Sequence, residues 1–144
     1  MYPKIIVPVD GSEISYKALD AALFFSEKLG SNITAIHVME DIPVTNIESQ
    51  KLLNDMLEIS AVCKQQGENI LSKCCETAKN KGLNVNTVLL KGNPASIILD
   101  FCKNWKYDLI IMGNRGIGKL KEIILGSVSS KILHNSACPV LLIK

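Results

Sequence analysis

The chain is 144 residues long, 47% apolar and 21% charged, with a formal net charge of +2. That length suits one domain with a real core, residues 1–144, and is too short for two. No run of like charge forms a patch, which argues against nucleic acid as a partner, and the longest unbroken apolar stretch, Ala21 to Phe25, is far short of a membrane span.

Lys4 to Val9 is almost continuously apolar, the pattern of a strand buried on both faces of a parallel sheet. No charged-then-apolar leader precedes it, so a soluble protein of the cytoplasm, with no membrane partner, is expected. Asp10-Gly11-Ser12 breaks the strand, and Ser12 suits the N-cap of a helix. On that helix Ile14, Ala18, Ala21, Ala22, Phe25 and Leu29 recur at three- and four-residue steps until Gly30 ends it. Asn32 to Val38 is a second strand, and Asp41 to Ser49, polar and holding a proline, is a loop.

From Gln50 to Lys81 a long helical pattern follows, with Leu53, Met56, Leu57, Ser60, Cys63, Gly67, Leu71, Cys74 and Ala78 on one face. A glycine inside a helix costs about 1 kcal/mol against alanine, so Gly67 marks a bend or a close packing contact. Gly82 closes this helix, and Leu83 to Leu90 alternates as a third strand. Gly92-Asn93-Pro94 supplies a turn, an N-cap and a proline at the first helical position, opening a helix through Asn104. Asp108 to Met112 is a fourth buried strand, followed by a glycine-rich loop, a helix near Val128 to Asn135 and a last strand, Val140 to Lys144. Strands alternate with helices throughout, the order of a parallel sheet covered on both faces.

The five cysteines, none at Cys-x-x-Cys spacing, fit reduced thiols and neither a disulfide framework nor a zinc site. Cys74-Cys75 invites comparison with a vicinal redox pair, but neighbouring side chains on a helix point about 100° apart, and each is expected to be a small buried hydrophobe. His37 is expected as a satisfied core side chain and His134 as a surface one.

Gly113 through Lys119 matches the first seven positions of a P-loop, G-x-x-x-x-G-K. Leu120, however, stands where a Ser or Thr hydroxyl should hold Mg²⁺, and no Asp follows. Taken instead as Gly113-x2-Gly116-x9-Gly126-Ser127, the same residues offer backbone N–H donors at close range to phosphate oxygens. Gly126 and Ser127 open a helix, whose unpaired N–H groups and positive dipole end favour an anion. The Ser127 hydroxyl can add a donor, and Arg115 and Lys119 are near enough in sequence to screen charge.

This G-x2-G-x9-G-[ST] pattern, after a strand ending Met112-Gly113, resembles the ATP-binding signature of the universal stress protein family. The resemblance spans the chain. It takes in Ile6-Val7-Pro8-Val9-Asp10-Gly11-Ser12, Ile36-His37-Val38, Gly92-Asn93-Pro94 and the closing Ser136-Ala137-Cys138-Pro139-Val140-Leu141-Leu142. It implies a Rossmann-like single α/β domain, an open five-stranded parallel sheet in the order 3-2-1-4-5, in which strands one and four flank the point where the topology reverses. Ligands of open α/β sheets bind at such points, beyond the carboxyl ends of the strands. The resemblance also implies ATP, accompanied by Mg²⁺ or Mn²⁺, as ligand. Asp10 would hold a ribose hydroxyl or help position the metal, the Val38 backbone would meet the adenine edge, and Pro8 and Val9 would line its pocket. Met112 and Gly113 would approach the ribose, and Gly116, Gly126, Ser127 and Val128 would contact the phosphates. For Asp10 the plainer alternative is a turn residue capping the first helix.

The loop offers no His, Glu or Gln with a supporting partner to activate water, and Glu122 lacks a companion. Binding with at most slow turnover is therefore expected, in a nucleotide-gated switch; a slow ATPase and a nucleotide-free dimeric scaffold are the alternatives. The strand Val140 to Ile143 is short, uncharged and apolar, and at a sheet edge it would pair with its own copy in a two-fold dimer.

Overall fold

The computed structural model describes residues 1–42, 49–115 and 125–144. In chain order the elements are β1 (Lys4–Pro8), α1 (Glu13–Leu29), β2 (Asn32–Met39), α2 (Gln50–Asn80), β3 (Asn86–Lys91), α3 (Pro94–Asn104), β4 (Leu109–Gly113), α4 (Ser127–Asn135) and β5 (Val140–Ile143). The strands form one sheet in the order β3-β2-β1-β4-β5, and every neighbouring pair is parallel.

Alternation along the inner strands sorts the core into two layers. Ile5, Val7, Ile33, Ala35, Leu109 and Ile111 project to one face, where α1 and α2 cover them with Leu19, Ala22, Leu23, Leu71 and Cys74. Ile6, Ile36, Ile110 and Met112 project to the other, under Ala95, Ile98 and Cys102 of α3 and Ile132 of α4. Period-two side chains make both faces apolar only because helices lie on both. Burying each Ile, Leu or Val contributes about 1.5–3 kcal/mol.

Local sequence sets the helix ends. The Ser12 hydroxyl accepts from the Ser15 N–H at 3.3 Å, Asn93 does the same for Ser96 at 3.1 Å with Pro94 behind it, and Gly30 closes α1 in the left-handed region at φ 71°. Gly67 marks a close contact: a Cβ there would lie 2.8 Å from Leu89 Cδ1 and 2.9 Å from His37 Cδ2, so α2 packs against β2 and β3 at this point. β3 begins later than the alternation from Leu83 predicts. The Leu83 N–H is taken by the Ala78 carbonyl at the end of α2, and pairing with β2 starts only at Asn86 opposite Thr34. Leu83 and Val85 still pack on the core from the connection. No described helix is long and apolar enough to cross a membrane.

Candidate functional site

β1 is flanked by β2 on one side and β4 on the other, so the chain leaves the centre of the sheet in opposite directions and a crevice opens beyond the carboxyl ends of these two strands. The crevice holds a cavity of about 580 Å³, within the range of small-molecule sites. Pro8, Val9, Asp10, Val38, Met112, Gly113, Gly126, Ser127 and Val128 all line it. Gly116 lies outside the described residues, as do Lys119 and Glu122.

One half of the cavity is apolar. Val9, Ile36, Val38, Ile98 and Met112 are buried and contribute their side chains or backbone to its walls. The other half is polar and is built where β4 meets α4. Gly126 is the N-cap of α4, with extended backbone and no side chain of its own to cap the helix, and among the described residues none caps it, so the first-turn amides and the positive end of the helix dipole lie at the polar end of the cavity. Three bonds hold this corner. The Asn114 carbonyl accepts from the Gly126 N–H at 2.9 Å, the Asn114 N–H donates to the Ile143 carbonyl at 2.9 Å, and the buried Ser129 hydroxyl donates to the Gly113 carbonyl at 2.9 Å. Ser127 itself is exposed, with its hydroxyl at the rim.

Asp10 serves a turn and lines the cavity at once. Its Oδ1 accepts from the Ser12 N–H at 2.9 Å and from the Ser12 hydroxyl at 2.5 Å, which orients the cap of α1, while the residue stands on the cavity wall. Gly113 is a glycine for a reason that a phosphate-loop reading does not supply. A Cβ there would come within 2.8 Å of Ile14 Cγ2, so the residue lets α1 close on the end of β4.

Several lining residues escape the motif. His37, half-buried, donates from Nδ1 to the Val9 carbonyl at 2.7 Å, and so is the satisfied side chain expected of it while also facing the cavity. Glu40, Cys63 and Gln66 come from the end of β2 and from α2, Pro94 and Ile98 from α3. Of these, only the Gly92-Asn93-Pro94 turn carried a signal, because a helix start after a parallel strand points to the same end of the sheet. Arg115 also lines the cavity. His134 is exposed, its Nδ1 bonded to the Ser130 carbonyl one helical turn back. Of the adjacent cysteines, Cys74 is fully buried, and burial pushes its thiol up to about 12; Cys75, turned away from it along the helix, is only half-buried.

The universal stress protein family model matches residues 1–144. YxiE, a universal stress protein of Bacillus subtilis, is 36% identical over the whole of both chains. MJ0531, a universal stress protein of Methanocaldococcus jannaschii, is 33% identical over all of this chain and 83% of its own. Among solved structures, the universal stress protein UspA of Lactobacillus plantarum superposes with a TM-score of 0.87 over 99% of this chain and 98% of its own, at 23% identity.

Proposed function

The chain belongs to the universal stress protein family, and from that premise we propose that it binds ATP in the crevice beyond β1 and β4 and acts as a nucleotide-dependent dimeric switch in the stress response. One observation carries the proposal: an apolar slot and a helix N-terminus that opens on a glycine share a single cavity at the reversal point of the sheet. The slot between Val9, Val38 and Met112 suits a flat base, with the Val38 backbone at its edge. Oδ1 of Asp10 is committed to the turn, so Oδ2 would be the oxygen to accept from a ribose hydroxyl. The amides of Ser127 and Val128, with the Ser127 hydroxyl, would receive phosphate oxygens. Gly116 would join them on the strength of the motif alone. Among the described residues no group of three or more His, Cys, Asp or Glu could hold a metal by itself, so Mg²⁺ or Mn²⁺ would take its ligands mainly from the phosphates.

Adenine nucleotides occur on this fold elsewhere. A universal stress protein in complex with cAMP superposes with a TM-score of 0.69 at 21% identity, and an Arabidopsis thaliana family protein with AMP bound with 0.67 at 22%. Occupancy would tie the end of β4 to the start of α4 and so favour one arrangement of that corner over others. β5 lies at the sheet edge with Leu141 exposed, and a second copy pairing there would complete the dimer. The five free thiols fit the cytoplasm, a reducing compartment. Slow hydrolysis is the alternative that an observation supports, because His37 and Glu40 both line the cavity; a single-turnover assay with labelled ATP separates it from binding alone.

The decisive test is mass spectrometry of whatever small molecule heat releases from the purified protein, together with calorimetric titration by Mg-ATP. An adenine nucleotide in the released fraction and saturable heat are expected. Neither nucleotide nor heat would leave a nucleotide-free scaffold as the better account.

A further inference from the structure

We propose that Cys102 and Cys138 are a paired oxidation site, closing to an intramolecular disulfide when the protein meets a hydroperoxide. The two residues come from different elements. Cys102 stands in the last turns of α3 and Cys138 in the connection between α4 and β5, yet their sulfurs lie 3.4 Å apart. A disulfide requires about 2.0 Å, so the two sulfurs must close by about 1.4 Å.

The surroundings order the pair. The Ser136 hydroxyl donates its one proton to the Cys138 carbonyl at 2.8 Å and accepts from the Cys138 N–H at 3.2 Å, which fixes the backbone that carries this sulfur. With its proton given to the carbonyl, the same hydroxyl, 3.5 Å from Cys138 Sγ, is left as an acceptor for the Cys138 thiol. Cys102 is 6% exposed, whereas Cys138 is half-buried and therefore reached first by a small oxidant. The adjacent pair Cys74 and Cys75 lacks this geometry, since successive side chains diverge along a helix.

The chemistry balances with a hydroperoxide as the only co-reactant. Cys138 sulfur attacks the peroxide, breaks the O–O bond and becomes a sulfenic acid, and the other peroxide oxygen leaves with the thiol proton as an alcohol, or as water when the oxidant is hydrogen peroxide. Cys102 sulfur then attacks Cys138 Sγ. The S–S bond forms, the S–O bond breaks, and the Cys102 proton leaves with the departing hydroxide as water. Two thiols lose two electrons, and one peroxide gains them. Burial, reinforced by the Cys138 contact, pushes the Cys102 thiol up to about 12, so little thiolate is present and the second step is slow. The bond would close a stretch spanning 36 positions that contains β4, Asn114 and α4, the polar wall of the cavity.

The test treats the whole protein with graded hydrogen peroxide, blocks remaining thiols in denaturant, digests it and maps the cysteines by mass spectrometry. The expected product is a monomeric chain lighter by two hydrogens, yielding a Cys102–Cys138 linked peptide. Dithiothreitol should abolish that peptide, and the oxidised chain should show a higher Tm, because the bond restricts a long loop in the unfolded chain. Cys138→Ser should abolish the link and leave Cys102 unmodified. The mapping on unmodified protein decides the matter even if that variant folds poorly. Links that map instead to Cys63, Cys74 or Cys75, links between chains, or Cys138 driven to sulfinic acid beside a free Cys102 would each overturn the proposal.

Discussion

Gly67→Ala separates two opposed effects. In an exposed helix alanine is favoured over glycine by about 1 kcal/mol, and α2 is otherwise an ordinary long helix. Here the added methyl would sit 2.8 Å from Leu89 Cδ1 and 2.9 Å from His37 Cδ2, both closer than carbon atoms tolerate. Leu89 is half-buried and its tip can rotate away at modest cost. The His37 ring is less free, because Nδ1 is bonded to the Val9 carbonyl at 2.7 Å. Overpacking of this kind costs about 1–3 kcal/mol. Setting the propensity gain against it gives a net loss of about 0–2 kcal/mol. Urea denaturation at neutral pH should therefore show a lower midpoint at an unchanged slope. Adding Leu89→Ala removes one of the two clashes, so the double variant should fall short of the summed single losses by about 0.5 kcal/mol or more. Because His37 lines the cavity, a displaced ring should also weaken nucleotide binding. A Gly67→Ala protein that is more stable than the parent by the full helix-propensity gain would refute the packing argument.

Gly126→Val puts a branched side chain at the N-cap, where φ is −61° and any residue is tolerated, so the fold should persist while affinity for Mg-ATP drops about tenfold or more by calorimetry. If β5 pairs with its own copy as proposed, Leu141→Lys should give monomers in light scattering, because a lysine in the seam opposes edge-to-edge pairing; an unchanged dimer mass would remove the β5 interface. Stability should also fall in alkali. Burial raises Cys74 from 9.0 to about 12, so the folded state keeps a proton that the unfolded chain has begun to release. The stabilisation is full below about pH 9 and is lost towards pH 12, at about 1.4 kcal/mol per pH unit. Cys102 acts in the same direction, and Cys74→Ala should flatten the decline in urea midpoint across this window.

Features of this chain differ in how far apart their causes lie. Ser12, Gly30 and Asn93-Pro94 were legible because a cap is decided by neighbours within one helical turn. Ile5, Ile6 and Val7 were legible as a doubly buried strand because both faces of a parallel sheet demand the same apolar character. The strand order was not in that periodicity and came only through the family resemblance, since alternation says which side a residue faces and nothing about which strand lies beside it. Gly113 shows the same limit within the site. Its place in a glycine-rich motif suggested room for phosphate, but the atom that excludes a side chain there belongs to Ile14, on a helix formed near the start of the chain. Cys63 and Gln66 line the cavity from α2, which comes close to β2 and β3 where Gly67 meets Leu89 and His37. Rotate that helix by one residue and different side chains would face the ligand space with no change in the hydrophobic stripe. Motifs therefore located the polar end of this cavity, where the chain folds back on itself over a few residues, and missed the walls brought by α2, whose position depends on a three-way contact between distant segments.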